Sequence, residues 1–94
     1  MVFIRRLRWT TVNIAHIARH DIRPQEVTEV CVGDPVAREA RQGRVIVLGP
    51  TTNGRILVVV LESEACGVYF PVTAWPASRK ERQVYADEKG AIAA

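Results

Sequence analysis

A chain of 94 residues that is 48% apolar can bury one hydrophobic core and supports a single domain. Its formal charge is +3, and of its 13 cationic residues only Lys80 and Lys89 are lysine; guanidinium forks bind phosphate and carboxylate bidentately, so this surface suits nucleic acid or an acidic protein partner, although an arginine-rich codon bias would leave the same mark. No apolar run approaches a membrane span or a signal-peptide core, which predicts no membrane association and a cytoplasmic location.

Residues 2–4 can add a short edge strand. Thr10 or Thr11 offers an N-cap for a first helix running to about His20, with Ile14, Ile17 and Ala18 as its apolar stripe. Asp21, Ile22 and Arg23 form a tight connector, because Pro24 is suited to the first position of a second helix. There Val27, Val30 and Cys31 repeat the apolar spacing, Glu26 and Glu29 face water, and Gly33 before Asp34-Pro35 closes the helix.

Residues 36–42 read as an edge strand or loop ending at Gly43. From Arg44 to Trp75 the pattern predicts a three-stranded antiparallel meander. Val45-Ile46-Val47-Leu48 leads through an Asn53-Gly54 turn into a run from Ile56 to Leu61 that lacks alternation, as a central strand covered on both faces requires. Pro71 has no N–H to donate and belongs at an edge or a bulge. Ser78 and Glu81 have capping-box spacing, Val84 and Tyr85 continue a helical stripe, and Gly90 ends this third helix before a frayed tail over 91–94. The expectation is an α+β domain over 1–90: two N-terminal helices, a three- to four-stranded antiparallel sheet and a C-terminal helix.

Candidate chemistry is sparse. His16 and His20, four apart on one helical face, could ligate a metal if Cys31 or Cys66 completed the set, but no C-x-x-C or acidic ligand accompanies them, so no metal and no cofactor are expected. Both cysteines read more simply as core thiols, since two this far apart are no disulfide framework. His20 ends a helix, where an imidazole can act as general acid or base or merely complement the helix dipole. Arg79, Lys80 and Arg82 open the last helix. If that helix folds back on the sheet, its N-terminus and these cations make a phosphate-binding end; a solvated helix end is the plainer alternative. No nucleophile elbow or glycine-rich phosphate loop exists.

Trp9, Asn13, His16 and His20, then Pro24-Gln25-Glu26-Val27 with Glu29-Val30 and Gly33-Asp34-Pro35, resemble the opening half of a BrnT-like toxin. Gly43-Arg44-Val45-Ile46, the hairpin after Asn53-Gly54-Arg55, and Val72-Thr73-Ala74 leading to Arg79-Lys80-Glu81-Arg82 and Tyr85 are similar to the second half. The resemblance covers Trp9 to about Glu88, and its specific part is the order and spacing of short, individually common pieces.

That resemblance implies a BrnT/RelE-like fold, a metal-independent endoribonuclease of a toxin-antitoxin system, and a cognate antitoxin, with a homodimer or a toxin–antitoxin hetero-oligomer as the assembly. RNA would be cut by its own 2′-hydroxyl, so the enzyme need supply only a base, an acid and cations. By matching position, His20 would be the acid or base, Arg44 and Arg79 would hold phosphate, and Glu81 or Tyr85 would orient the set, with Arg55, Lys80 and Arg82 binding nucleic acid. Two departures stand out. Thr73-Ala74 is followed by Trp75-Pro76 where the family usually has arginine, and His20 is followed by Asp21 where glycine is usual. An indole cannot neutralise phosphate, so the alternative is a non-catalytic BrnT-like module that binds a partner protein or nucleic acid.

Overall fold

The computed structural model describes residues 2–93. In chain order the elements are Arg6–Leu7 (β1), Thr11–Ala18 (α1), Pro24–Val32 (α2), Val36–Glu39 (β2), Arg44–Pro50 (β3), Ile56–Ala65 (β4), Val68–Pro76 (β5) and Arg79–Ala93 (α3), with a single 3-10 turn at Arg41–Gly43. The class is α+β as expected, but the sheet has five strands in the order β1-β5-β4-β3-β2, and β1 pairs parallel to β5 while the other pairs are antiparallel.

The extra strand lies at Arg6–Leu7, later than the edge strand expected over 2–4. What fixes it is the β4–β5 turn: Gly67, at φ 76°, turns its carbonyl toward the N-terminal segment and accepts from the amides of Arg5 (2.7 Å) and Arg6 (3.0 Å). A Cβ on Gly67 would lie 2.8 Å from the Cβ of Arg5, so only glycine admits this approach.

Helix α1 differs from its expected stripe. Ile17 is buried, but Ile14 and Ala18 face out, and the second inward residue is Asn13. Its side chain explains the rotation. Asn13 Oδ1 accepts from the Thr10 amide (2.8 Å), and Nδ2 donates to the carbonyls of Arg8 and Pro71 (both 3.1 Å), tying the helix start to β5. Buried amide donors demand such partners, and a polar residue with both of them satisfied outcompetes an apolar one for the position. The helix ends at Ala18, two residues before His20, in a Schellman arrangement. The Ile22 amide donates to Ile17 O and the Asp21 amide to Ala18 O, with Asp21 in the left-handed region at φ 59°. Asp21 thus occupies the conformation that glycine adopts without strain.

Two helices cover one face of the sheet and one covers the other. Ile17, Ile22, Val27 and Val30 pack on Val45, Val47, Leu57, Val59, Leu61 and Ala74. Gly49 permits this approach at the end of α2, since a Cβ there would stand 3.1 Å from Pro35 Cα. On the opposite face Leu48, Val58 and Ala77 pack with Ile56, Trp75 and Tyr85. The uniform apolar run of β4 therefore meets helices on both sides at its start, as its lack of alternation implied. Pro71 sits beside a bulge: Val60 pairs with Thr73 and Leu61 with Pro71, leaving Val72 extra.

Helix α3 begins with the expected capping box, but runs through Gly90 to Ala93. An interior glycine weakens a helix by about 1 kcal/mol without stopping it, and Lys89 holds this turn by donating to Asp34 Oδ1 (2.6 Å) and Pro35 O (3.3 Å). Of the expected tail, residue 94 lies outside the described residues.

Candidate nucleic-acid interface

Three chain segments meet at the end of the sheet where β3 turns into β4. Arg55, just past that turn, donates to the carbonyls of Asp21 (2.9 Å) and His20 (3.5 Å) and to Glu26 Oε2 (3.3 Å). The Ala77 amide donates to Ile56 O (2.9 Å), which brings the start of α3 to the same end. His20, Arg55, Arg79 and Lys80 therefore lie toward the same end of the sheet, His20 on the side of α1 and α2 and Arg79 and Lys80 on the side of α3. Arg55 is committed to fastening the α1–α2 connector, and Glu26, expected to face water, is half-buried as its partner. Glu29 likewise turns from solvent to accept from the Thr52 amide (3.0 Å).

At the start of α3 each polar group has a distinct task. Glu81 Oε1 accepts from the Ser78 amide (2.8 Å), the Ser78 hydroxyl oxygen accepts from the Glu81 amide (3.1 Å), and Trp75 Nε1 donates to both carboxylate oxygens at 3.3 and 3.4 Å. The Ser78 amide is the main cause of a carboxyl pKa below the ordinary value, with the Ser78 hydroxyl and the indole acting in the same direction. Arg82 reaches back to Ala77 O (3.0 Å). Arg79 and Lys80 are exposed and, among the described residues, make no side-chain hydrogen bond or ion pair. They leave a cationic helix N-terminus whose amides and charges both favour an anion.

The other expected site residues stand elsewhere. Arg44 pairs in register with Glu62, at the opposite end of β3 from Pro50 and so roughly 20 Å from the hairpin turn at strand rise. It makes a 3.6 Å ion pair with Glu62 and lines a separate cleft of about 350 Å³ that also takes in Ser63 and Tyr69. Tyr85 donates its hydroxyl to Asp34 O (2.7 Å), joining α3 to the segment before β2. Of the five residues matched to catalytic positions, only His20, Arg79 and Glu81 share one end of the molecule. Glu81 there is a cap.

His16 and His20 face each other with ring centroids 6.4 Å apart, but no third His, Cys, Asp or Glu joins them among the described residues. Cys31 is partly buried, and burial pushes its thiol up to about 12; Cys66 is exposed in the β4–β5 turn and is not the core thiol the sequence suggested. The residue that sequence reasoning undervalued is Trp75, whose indole both packs against Leu48 and Val58 and anchors the cap. No helix among the described residues is long and apolar enough to cross a membrane.

No family model matches this chain, and no curated protein or solved structure matches it.

Proposed function

We propose that this chain is a BrnT-like module that binds RNA phosphates at the cationic start of α3 without cutting them. The observation that carries this reading is the bond between Trp75 and Glu81. Where an arginine would meet a phosphorane, an indole fills the position, and the carboxylate that would orient it caps a helix. Arg79 and Lys80 remain to engage phosphate, and electrostatic binding of this kind needs no further chemistry.

Fluorescence anisotropy with a labelled single-stranded RNA in EDTA tests this. Binding should weaken with salt, and Arg79→Ala with Lys80→Ala should lower the salt slope by roughly 1 to 2. Total RNA incubated with the protein in EDTA should stay intact. Salt-insensitive binding, or binding unchanged in the double variant, would overturn the reading.

A second reading, the toxin-type endoribonuclease acting through 2′-hydroxyl attack, draws support from His20 and Arg79 lying at one end of the sheet. An imidazole and a guanidinium are the least such a reaction requires. Cleavage in EDTA that disappears in His20→Ala would select it, and cleavage only in Trp75→Arg would identify the natural chain as a binder derived from the enzyme. A small adjacent reading frame encoding a DNA-binding protein would supply the antitoxin that either reading within a toxin-antitoxin system calls for.

A further inference from the structure

The cleft beside Arg44 has a volume of about 350 Å³, within the range of small-ligand pockets, and its lining comes from strands and the β2–β3 turn alone. Register builds it. Glu39 pairs with Val45 and Ser63 with Tyr69, and alternation turns all four side chains toward the face that carries α1 and α2. Gly43 puts no side chain into the opening, since a Cβ there would meet nothing within 4 Å. The wall is set by the turn itself. Gln42 and Gly43 both adopt the left-handed conformation, at φ 61° and 72°, and the Ala40 amide donates to Arg44 O (2.8 Å).

Tyr69 distinguishes this cleft from an ordinary surface dent. The residue is only 9% exposed, and its ring belongs to the core cluster with Val45 and Leu61. A tyrosine hydroxyl taken into the core normally finds a partner. This one makes no hydrogen bond to the described residues, yet no buried side-chain nitrogen or oxygen among them is left unpaired, so the hydroxyl is the part of Tyr69 that opens into the cleft. Glu39 and Ser63 line the same space, and among the described residues their side chains also make no hydrogen bond or ion pair.

The sign of the charge follows from alternation. Arg44 lends the cleft its backbone and stem, because its guanidinium points to the opposite face and meets Glu62 there (3.6 Å); Arg38 turns the same way, to Glu88. Glu39 is therefore the charged side chain that faces the opening. A carboxylate beside two hydroxyl oxygens offers acceptors to a ligand that brings positive charge and N–H donors, whereas an anion would meet Glu39 with no cation on that face of the cleft to offset it.

We propose that this cleft binds a small organic cation bearing N–H donors, a guanidinium or primary ammonium group. The Glu39 carboxylate accepts its charged N–H groups, and the Ser63 and Tyr69 hydroxyl oxygens accept the rest. The cleft lies at the opposite end of β3 from the start of α3, so it stands whether or not RNA binds there.

The test titrates the full chain with ethylguanidinium, tetramethylammonium and propionate, followed by amide chemical shifts. Ethylguanidinium should bind saturably, with changes centred on Gly43, Ser63 and Tyr69. Tetramethylammonium, equal in charge but without a donor, should bind about tenfold or more weaker. Glu39→Gln, at an exposed position, should weaken ethylguanidinium by about tenfold or more, while Glu62→Gln, on the opposite face, should leave its affinity unchanged. Tyr69→Phe should weaken it several-fold at an unchanged urea midpoint, since the hydroxyl has no partner within the chain. N-acetylarginine methylamide distinguishes the sources: binding as tight as ethylguanidinium supports the arginine side chain of a partner protein, and exclusion supports a free small molecule. Propionate shifting the same amides, equal affinity for tetramethylammonium, loss of binding in Glu62→Gln rather than Glu39→Gln, or a lowered urea midpoint in Tyr69→Phe would overturn the proposal. If Tyr69→Phe fails to fold, the two glutamate variants still decide it.

Discussion

The indole N–H of Trp75 and the carboxylate of Glu81 are bonded across the junction of β5 and α3, so the residue standing where arginine was expected fixes the start of the last helix. Trp75→Phe keeps an aromatic on Leu48 and Val58 but removes the donor, and Glu81 still accepts from the Ser78 amide. Its expected cost is about 1–2 kcal/mol. Trp75→Arg loses the packing as well and brings a charge against an apolar cluster, so roughly 2–4 kcal/mol is expected. Urea denaturation of both variants checks the order.

The same carboxylate gives stability a pH dependence. Glu81 has a folded pKa below its ordinary value, chiefly through the Ser78 amide. A depressed carboxyl pKa means that its contribution is complete above the unfolded value near 4.5 and is lost as pH falls through the folded one. Glu64, lowered by its bond to Arg8, acts in the same direction. Thermal melts should therefore fall in Tm below about pH 4.5, and Glu81→Gln should reduce that fall while lowering Tm at pH 7.

These features differ in how readable they were beforehand. The capping box at Ser78 and Glu81 and the Asn53-Gly54 hairpin depend on residues close in sequence, and the pattern located both; for Pro71 it left an edge or a bulge, and the pairing of β1 with β5 leaves the bulge. Residues far apart decided the rest. The two-residue strand β1 exists because Gly67 offers a carbonyl to Arg5 and Arg6, and no periodicity marks a strand that short. The rotation of α1 follows from Asn13 reaching Pro71, 58 residues away. Arg44 and Arg55 begin adjacent antiparallel strands and so stand at opposite ends of the hairpin, as the pattern implies, but that Arg55 alone of the two approaches His20 depends on how the α1–α2 connector packs.

Asn13 should consequently be the most sensitive polar residue of the core. Asn13→Ala leaves the carbonyls of Arg8 and Pro71 without their donor and removes half of the α1 capping box, an expected loss of roughly 2–4 kcal/mol. Asn13→Asp is nearly isosteric but presents oxygen to both carbonyls. It should be worse than alanine at pH 7 and recover toward it as the carboxyl protonates, which paired denaturation curves at pH 7 and pH 4 would show.

The two cysteines should separate cleanly by reactivity. Partial burial pushes the Cys31 thiol up to about 12, whereas Cys66 is open to solvent. Because the thiolate is the nucleophile, a disulfide-exchange reagent at pH 8 should titrate one thiol per chain quickly and the second slowly, with denaturant removing the difference. Mass mapping should place the fast label on Cys66. Equal rates at the two thiols would mean that partial burial does not protect Cys31.

Asp21 is where a substitution should stabilise the chain. Its φ of 59° lies in the left-handed region, which glycine enters freely and aspartate at a cost. Ile17 and Ile22, the residues that this turn brings into the core, are both buried, and Arg55 donates to the Asp21 backbone carbonyl, a bond that does not depend on the side chain. Asp21→Gly should keep each of these contacts and remove the left-handed strain, set against the greater freedom of glycine in the unfolded chain. The net gain expected is about 0.5–1 kcal/mol, read as a higher urea midpoint at unchanged slope. Asp21→Ala, with a Cβ and no polar group to support the left-handed turn, should lose stability instead, so the two variants should move the midpoint in opposite directions if the backbone conformation is what matters at this position.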